Sequence, residues 1–156
     1  MTTRLLGAIA ALGLLAACSN TDQDANAAGQ GAGANTIRPG SQEDLVANVG
    51  DRIFFDFNSQ TIRADQRPVL QRQAELMGRY PDVRVQVEGH TDERGTREYN
   101  LALGQRRANS TRDVLVASGV NGARISTISY GKDRPAALGS DEAAWAQNRR
   151  AVTVVQ

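Results

Sequence analysis

Val83-Arg84-Val85-Gln86-Val87-Glu88-Gly89-His90-Thr91-Asp92-Glu93-Arg94-Gly95 is the most informative stretch of this 156-residue chain. Val83, Val85 and Val87 alternate with Arg84, Gln86 and Glu88, the period of a strand with one buried face. Gly89 to Gly95 then predicts a loop. Thr96 to about Ser118 predicts a helix, with Leu101, Ala108 and Leu115 at seven-residue intervals and Gly119 just past its end. A loop carrying Asp92 thus joins a half-buried strand to a long helix.

The flanking segments extend the pattern. Ile53, Phe55 and Phe57 alternate with Phe54 and Asp56 and predict a first strand, ended by Asn58-Ser59. Asp65 to Tyr80 carries Val69, Leu70, Ala74, Leu76 and Met77 at helical spacing, with Pro68 tolerated in the first turn and Tyr80-Pro81-Asp82 as the stop. Ile125 to Tyr130 predicts a third strand, Ser140-Asp141-Glu142 caps a short helix through about Gln147, and Ala151 to Val155 predicts the last strand. The order β-α-β-α-β-(α)-β implies an α+β domain, a sheet with helices layered on one face.

Composition narrows the function classes. Lys+Arg is 18 and Asp+Glu 17, without the basic excess that a general grip on nucleic acid needs. One His and one Cys exclude most His/Cys metal sites and any intramolecular disulfide, so no metal or cofactor is expected. No second His and no nucleophile motif accompany His90, so catalysis is not expected; His90 is expected to hydrogen-bond in the strand-to-loop turn.

The N-terminal region reads differently. Arg4 is followed by an apolar run from Leu5 to Ala17, 13 residues long, whereas a membrane span needs ~20. That length suits a secretory signal peptide. Leu15-Ala16-Ala17-Cys18 resembles the bacterial lipoprotein signal, which implies cleavage after residue 17 and acylation of Cys18. Several acyl chains there would anchor durably, where one holds only marginally. Residues 18–45 then form the lipidated Cys and a linker rich in Ala, Gly, Asn, Gln and Ser, too polar to offset its ordering entropy. As a coil it would span ~30 Å. The folded domain is expected over residues 46–156.

Asp92 leaves the end of a strand, and Arg107 lies 15 residues on, about three turns into the helix. A carboxylate and a guanidinium facing one another across a small cleft can bind a zwitterion: Asp92 takes an ammonium, and Arg107 takes a carboxylate through two parallel hydrogen bonds. Asn100 could serve either sign. Taken singly, Asp92 could cap a helix and Arg107 could be a solvated surface residue.

Gly89-His90-Thr91-Asp92, Gly95, Asn100-Leu101, Leu103, Arg106-Arg107-Ala108 and Asn148-Arg149-Arg150 together resemble the OmpA-like peptidoglycan-binding domain family over about residues 50–156. Phe54-Phe55-Asp56-Phe57-Asn58 fits that family's first strand. Asp92-Glu93-Arg94-Gly95-Thr96 and Ser129-Tyr130-Gly131-Lys132-Asp133-Arg134-Pro135 are most similar to its Tol–Pal branch of peptidoglycan-associated lipoproteins, with no motif-level departure.

The resemblance implies an OmpA-like sandwich with a mixed sheet, and a non-enzymatic domain that binds the diaminopimelate of uncrosslinked peptidoglycan stem peptides. Carried over by position, Asp92 holds the ammonium and Arg107 the carboxylate. Thr91, Asn100 and Leu103 complete the wall, with Asn58 and Arg149 as further contacts. It also implies an outer-membrane lipoprotein facing the periplasm, TolB as partner, and roles in envelope integrity and constriction at division; the alternative is a wall anchor without Tol partners. With both charges expected at the rim of a cleft, Asp92→Ala and Arg107→Ala are expected to leave the fold intact.

Overall fold

The structure, a computed structural model, describes residues 37–156. The expected signal peptide, Cys18 and the linker as far as residue 36 lie outside the described residues. Four strands, β1 (Arg52–Phe54), β2 (Val85–His90), β3 (Ile125–Gly131) and β4 (Arg150–Val155), form one sheet in the order β1-β4-β2-β3. β1 pairs antiparallel with β4, β4 antiparallel with β2, and β2 parallel with β3. Parallel neighbours need a crossover, and the helix α3 (Arg97–Ala117) supplies it.

Alternation selects the buried face. Ile53, Val85, Val87, Ile125 and Ala151 join one core with Leu70, Ala74, Leu76 and Met77 of α2 (Arg67–Arg79) and Ala108 and Leu115 of α3. Between them on the strands, Phe54, Gln86, Glu88, Val152 and Val154 are half-buried on the opposite face. The sheet is therefore mixed, with α2 and α3 on one side, as expected.

Three differences have physical causes. Regular pairing in β1 ends at Phe54, two residues after it starts, although Phe55 N–H still donates to Arg149 O at 2.9 Å. Asn58 adopts a positive φ of 53° and turns the chain, so Phe55 is buried while Phe57 emerges 60% exposed. Asn is among the few residues that accept this conformation readily.

In α3, the seven-residue row is incomplete: Leu101 is only half-buried, and the inward face instead carries Asn100, Leu103, Gly104, Arg107 and Thr111. Burying that many polar groups masks the amphipathic pattern.

The linker expected over 18–45 is ordered where it is described. Ser41 caps the short helix α1 (Gln42–Asp44) by accepting from Asp44 N–H at 3.3 Å, and Leu45 is buried at the start of a π-helical turn, Leu45–Val49. Gln42 Oε1 accepts the Val155 N–H at 2.7 Å, tying this segment to the end of β4. One apolar anchor and a few hydrogen bonds suffice to order residues that composition alone reads as tether.

The contact that positions everything else is between two glycines. A Cβ at Gly89 would lie 1.8 Å from Gly104 O, and a Cβ at Gly104 would lie 2.3 Å from Ser129 Oγ. Only glycine at both positions lets α3 approach β2 and β3 this closely. Asp92 is three residues beyond Gly89, and Arg107 three beyond Gly104.

Candidate functional site

The turn after β1, the loop 91–95 and the first half of α3 enclose a cleft of about 200 Å³. Phe57 and Asn58 come from the turn, Thr91, Asp92, Arg94 and Gly95 from the loop, and Tyr99, Asn100, Leu103 and Arg107 from the helix. Thr96 caps α3 by accepting Tyr99 N–H at 3.2 Å, so the helix starts at the edge of the cleft.

Arg107 is fully buried. Its Nε donates to Ser59 O at 2.8 Å, Nη1 to His90 O at 2.8 Å and Nη2 to Asp56 O at 3.0 Å. Its guanidinium lies 5.0 Å from the Phe55 ring centroid. The guanidinium therefore ties three chain segments together. Of its five N–H donors, three are committed and two remain for a ligand. Burial pushes its pKa down to about 10, partly offset by the charge of Asp92; it stays cationic at neutral pH. The expected rim position is thus corrected: Arg107 lies at the floor, and Arg107→Ala would strip three carbonyls of their partner.

Asp92 is 4% exposed. Its Oδ1 accepts the Arg94 N–H at 3.1 Å, and its Oδ2 accepts Arg94 Nη2 at 2.5 Å. Burial opposes its charge, but the hydrogen bonds from Arg94 and the charges of Arg94 and Arg149 outweigh burial, so its carboxyl sits below the usual range.

Asn100 is buried, with Nδ2 donating to Arg94 O at 2.9 Å and Thr96 O at 3.0 Å. It staples the loop to the helix, and only its amide oxygen is left to offer a ligand. Thr91 N–H donates to Gly131 O at 2.9 Å, and its hydroxyl to Asp92 O at 3.1 Å. Leu103 forms an apolar part of the wall, and Asn58 Oδ1 accepts the Tyr99 hydroxyl.

Arg149 is the residue that the structure does not bring into the cleft. It lies behind Asp92, Nη1 3.6 Å from Asp92 Oδ2, with Nη2 on Glu142 Oε1 at 2.5 Å and Nε on Phe55 O at 3.2 Å. Its position suits support of Asp92 rather than contact with a ligand. His90 is 2% exposed, and neither ring nitrogen has a hydrogen-bond partner, unlike the expectation for the turn. It is the His90 carbonyl, not the ring, that holds Arg107.

Sequence reasoning passed over Phe57, Arg94, Gly95 and Tyr99 as cleft residues. Arg94 stands inside the quoted motif, but nothing in its spacing says that it folds back on Asp92. Among the described residues, no group of three or more His, Cys, Asp and Glu could hold a metal, and no helix is long and apolar enough to cross a membrane.

The OmpA family model matches residues 54–149, which span every segment of the cleft. The chain belongs to the OmpA family. Within it, the chain is 57% identical to the peptidoglycan-associated lipoprotein of Agrobacterium fabrum, covering 90% of this chain and 81% of that one. It is 53% identical to that of Rhizobium meliloti, covering 97% and 86%. The crystal structure of the peptidoglycan-associated lipoprotein from Burkholderia pseudomallei matches with a TM-score of 0.67 at 46% identity, covering 68% of this chain and 90% of that one. None of these OmpA-family relatives bears an enzyme's name.

Proposed function

We propose that the cleft binds peptidoglycan by clasping the free end of diaminopimelate in uncrosslinked stem peptides. That end carries an ammonium and a carboxylate on one carbon. Asp92 takes the ammonium, and the two uncommitted N–H groups of Arg107 take the carboxylate. Thr91, Asn100, Leu103 and Asn58 line the space between. The observation that carries this reading is a buried carboxylate and a buried guanidinium at one cleft of about 200 Å³. Removed from bulk water, the two protein charges match both halves of a twin-charged group, whereas an amine alone leaves the uncommitted N–H donors of Arg107 unmatched. The names of the OmpA-family relatives support the same ligand.

We extend the proposal to the rest of the chain. Residues 1–17 are a lipoprotein signal, Cys18 carries the lipid that holds the protein in the outer membrane, and the domain works in the periplasm. There it serves the Tol–Pal system, with TolB as partner, in envelope integrity and constriction at division. Co-sedimentation with purified sacculi tests the site. Asp92→Asn keeps shape and removes charge, and is expected to lose most binding while its unfolding curve stays cooperative. Retention equal to wild type rejects the site. For the anchor, Cys18→Ser is expected to release the protein from membranes; continued fractionation with the outer membrane contradicts it.

A further inference from the structure

The Asp92 carboxylate already has a cation. Besides the 2.5 Å bond from Arg94 Nη2 and the 3.1 Å bond from the Arg94 N–H, it has Arg149 Nη1 at 3.6 Å. The Arg94 guanidinium lies 4.0 Å from the Phe57 ring centroid and 3.9 Å from the Trp145 ring. The turn after β1, the loop 91–95 and α4 (Glu142–Asn148) therefore converge on one guanidinium. Trp145 is itself held by Nε1 donating to Glu93 Oε1 at 3.1 Å. Yet the Arg94 side chain is 31% exposed, belongs to a loop and lines the cleft. It can swing to solvent without opening the core.

Resting on the reading that Asp92 takes a ligand ammonium, we propose that Arg94 is a built-in rival for the ammonium position and thereby sets the selectivity of the cleft. A simple amine arriving at Asp92 would replace one ion pair by another and forfeit two cation–π contacts, each contributing ~0.5–1 kcal/mol. It gains nothing. A zwitterion also satisfies the two uncommitted N–H donors of Arg107, a gain that no group within the protein supplies, and that surplus displaces Arg94. Competition from inside the protein thus converts a site that would bind amines into one that takes an ammonium only when a carboxylate arrives with it. When Arg94 leaves Asp92, Trp145 loses the cation from its ring face.

Trp145 is the sole tryptophan, so its emission reports the clamp. The full-length chain is titrated with meso-diaminopimelate and with cadaverine, a diamine without a carboxylate, following heat and Trp145 fluorescence together. In wild type, meso-diaminopimelate should bind with an emission change that tracks the heat, and cadaverine should do neither. In Arg94→Gln, meso-diaminopimelate should bind about tenfold tighter, equivalent to ~1.4 kcal/mol, with the emission change lost, and cadaverine should become a ligand. Binding of meso-diaminopimelate to wild type with silent Trp145 overturns the rivalry while leaving the ligand assignment standing, as does weaker binding by Arg94→Gln. No heat from meso-diaminopimelate in wild type overturns both.

Discussion

Replacing Arg107 by Ala should cost the domain about 3 kcal/mol of stability, through loss of a strut rather than loss of a surface charge. The guanidinium donates to three backbone carbonyls, Asp56 and Ser59 in the turn after β1 and His90 at the end of β2. Hydrogen bonds from a charged group contribute ~1.5–3 kcal/mol each, so three give roughly 4.5–9 kcal/mol. Against this stands the cost of burying the cation. The downward push of its pKa to about 10 corresponds to roughly 3 kcal/mol of lost preference for the charged form. In the Ala variant, water entering the cleft rehydrates part of what is stripped, leaving a net loss of about 3 kcal/mol. For 120 described residues this is a Tm lowered by about 12 °C, at ~4 °C per kcal/mol. Urea unfolding followed by far-UV circular dichroism should show a lower midpoint at unchanged slope. Arg107→Lys should recover part of the loss, because an ammonium cannot fan out to three carbonyls in the guanidinium plane. A loss below ~0.5 kcal/mol, the range of an ordinary surface substitution, would refute the strut.

Gly89→Ala should be more damaging than its size suggests, because the added Cβ would stand 1.8 Å from Gly104 O and must push α3 off the sheet; we expect at least ~3 kcal/mol and loss of sacculus binding, and a near-neutral variant would contradict the close packing. Stability should also fall as pH drops from about 6.5 toward 4. His90 is held to about 4 by burial and then by the charges of Arg150 and Arg134, with Glu88 3.6 Å away. The unfolded chain therefore binds the proton first, and up to roughly 3 kcal/mol is lost across that window. As the only histidine, it can be titrated by NMR without ambiguity, and His90→Phe should flatten the slope; a native pKa near 6.5 would sink this. Ligand binding should persist at pH 5, because Asp92 is held below the ordinary carboxylate range; a sacculus-binding midpoint between pH 5 and 6 would contradict that.

Much of this was legible in the chain itself. The period-2 run Val83–Val87 and the helical spacing after Asp65 report burial that each residue earns locally, so the order of strands and helices and the α+β class follow from one-dimensional pattern. The motif around Asp92, Asn100 and Arg107 likewise names a carboxylate, an amide and a guanidinium that the fold brings to one cleft, because charge type and spacing are covalent properties. What the pattern could not carry is direction. Strand order β1-β4-β2-β3 rests on pairings between distant segments, and no local preference encodes them. Arg107 looks like a surface residue until Gly89 and Gly104 draw the helix against the sheet. Arg149 shares the motif but ends behind Asp92, and Arg94, passed over in the sequence, folds onto it between Phe57 and Trp145. Residues 41–45 look like tether until Leu45 finds the core. Sequence sets which groups are present and roughly which face each prefers; only close packing of remote segments settles which cation a buried carboxylate meets, because that depends on distances of a few ångströms between residues far apart in the chain.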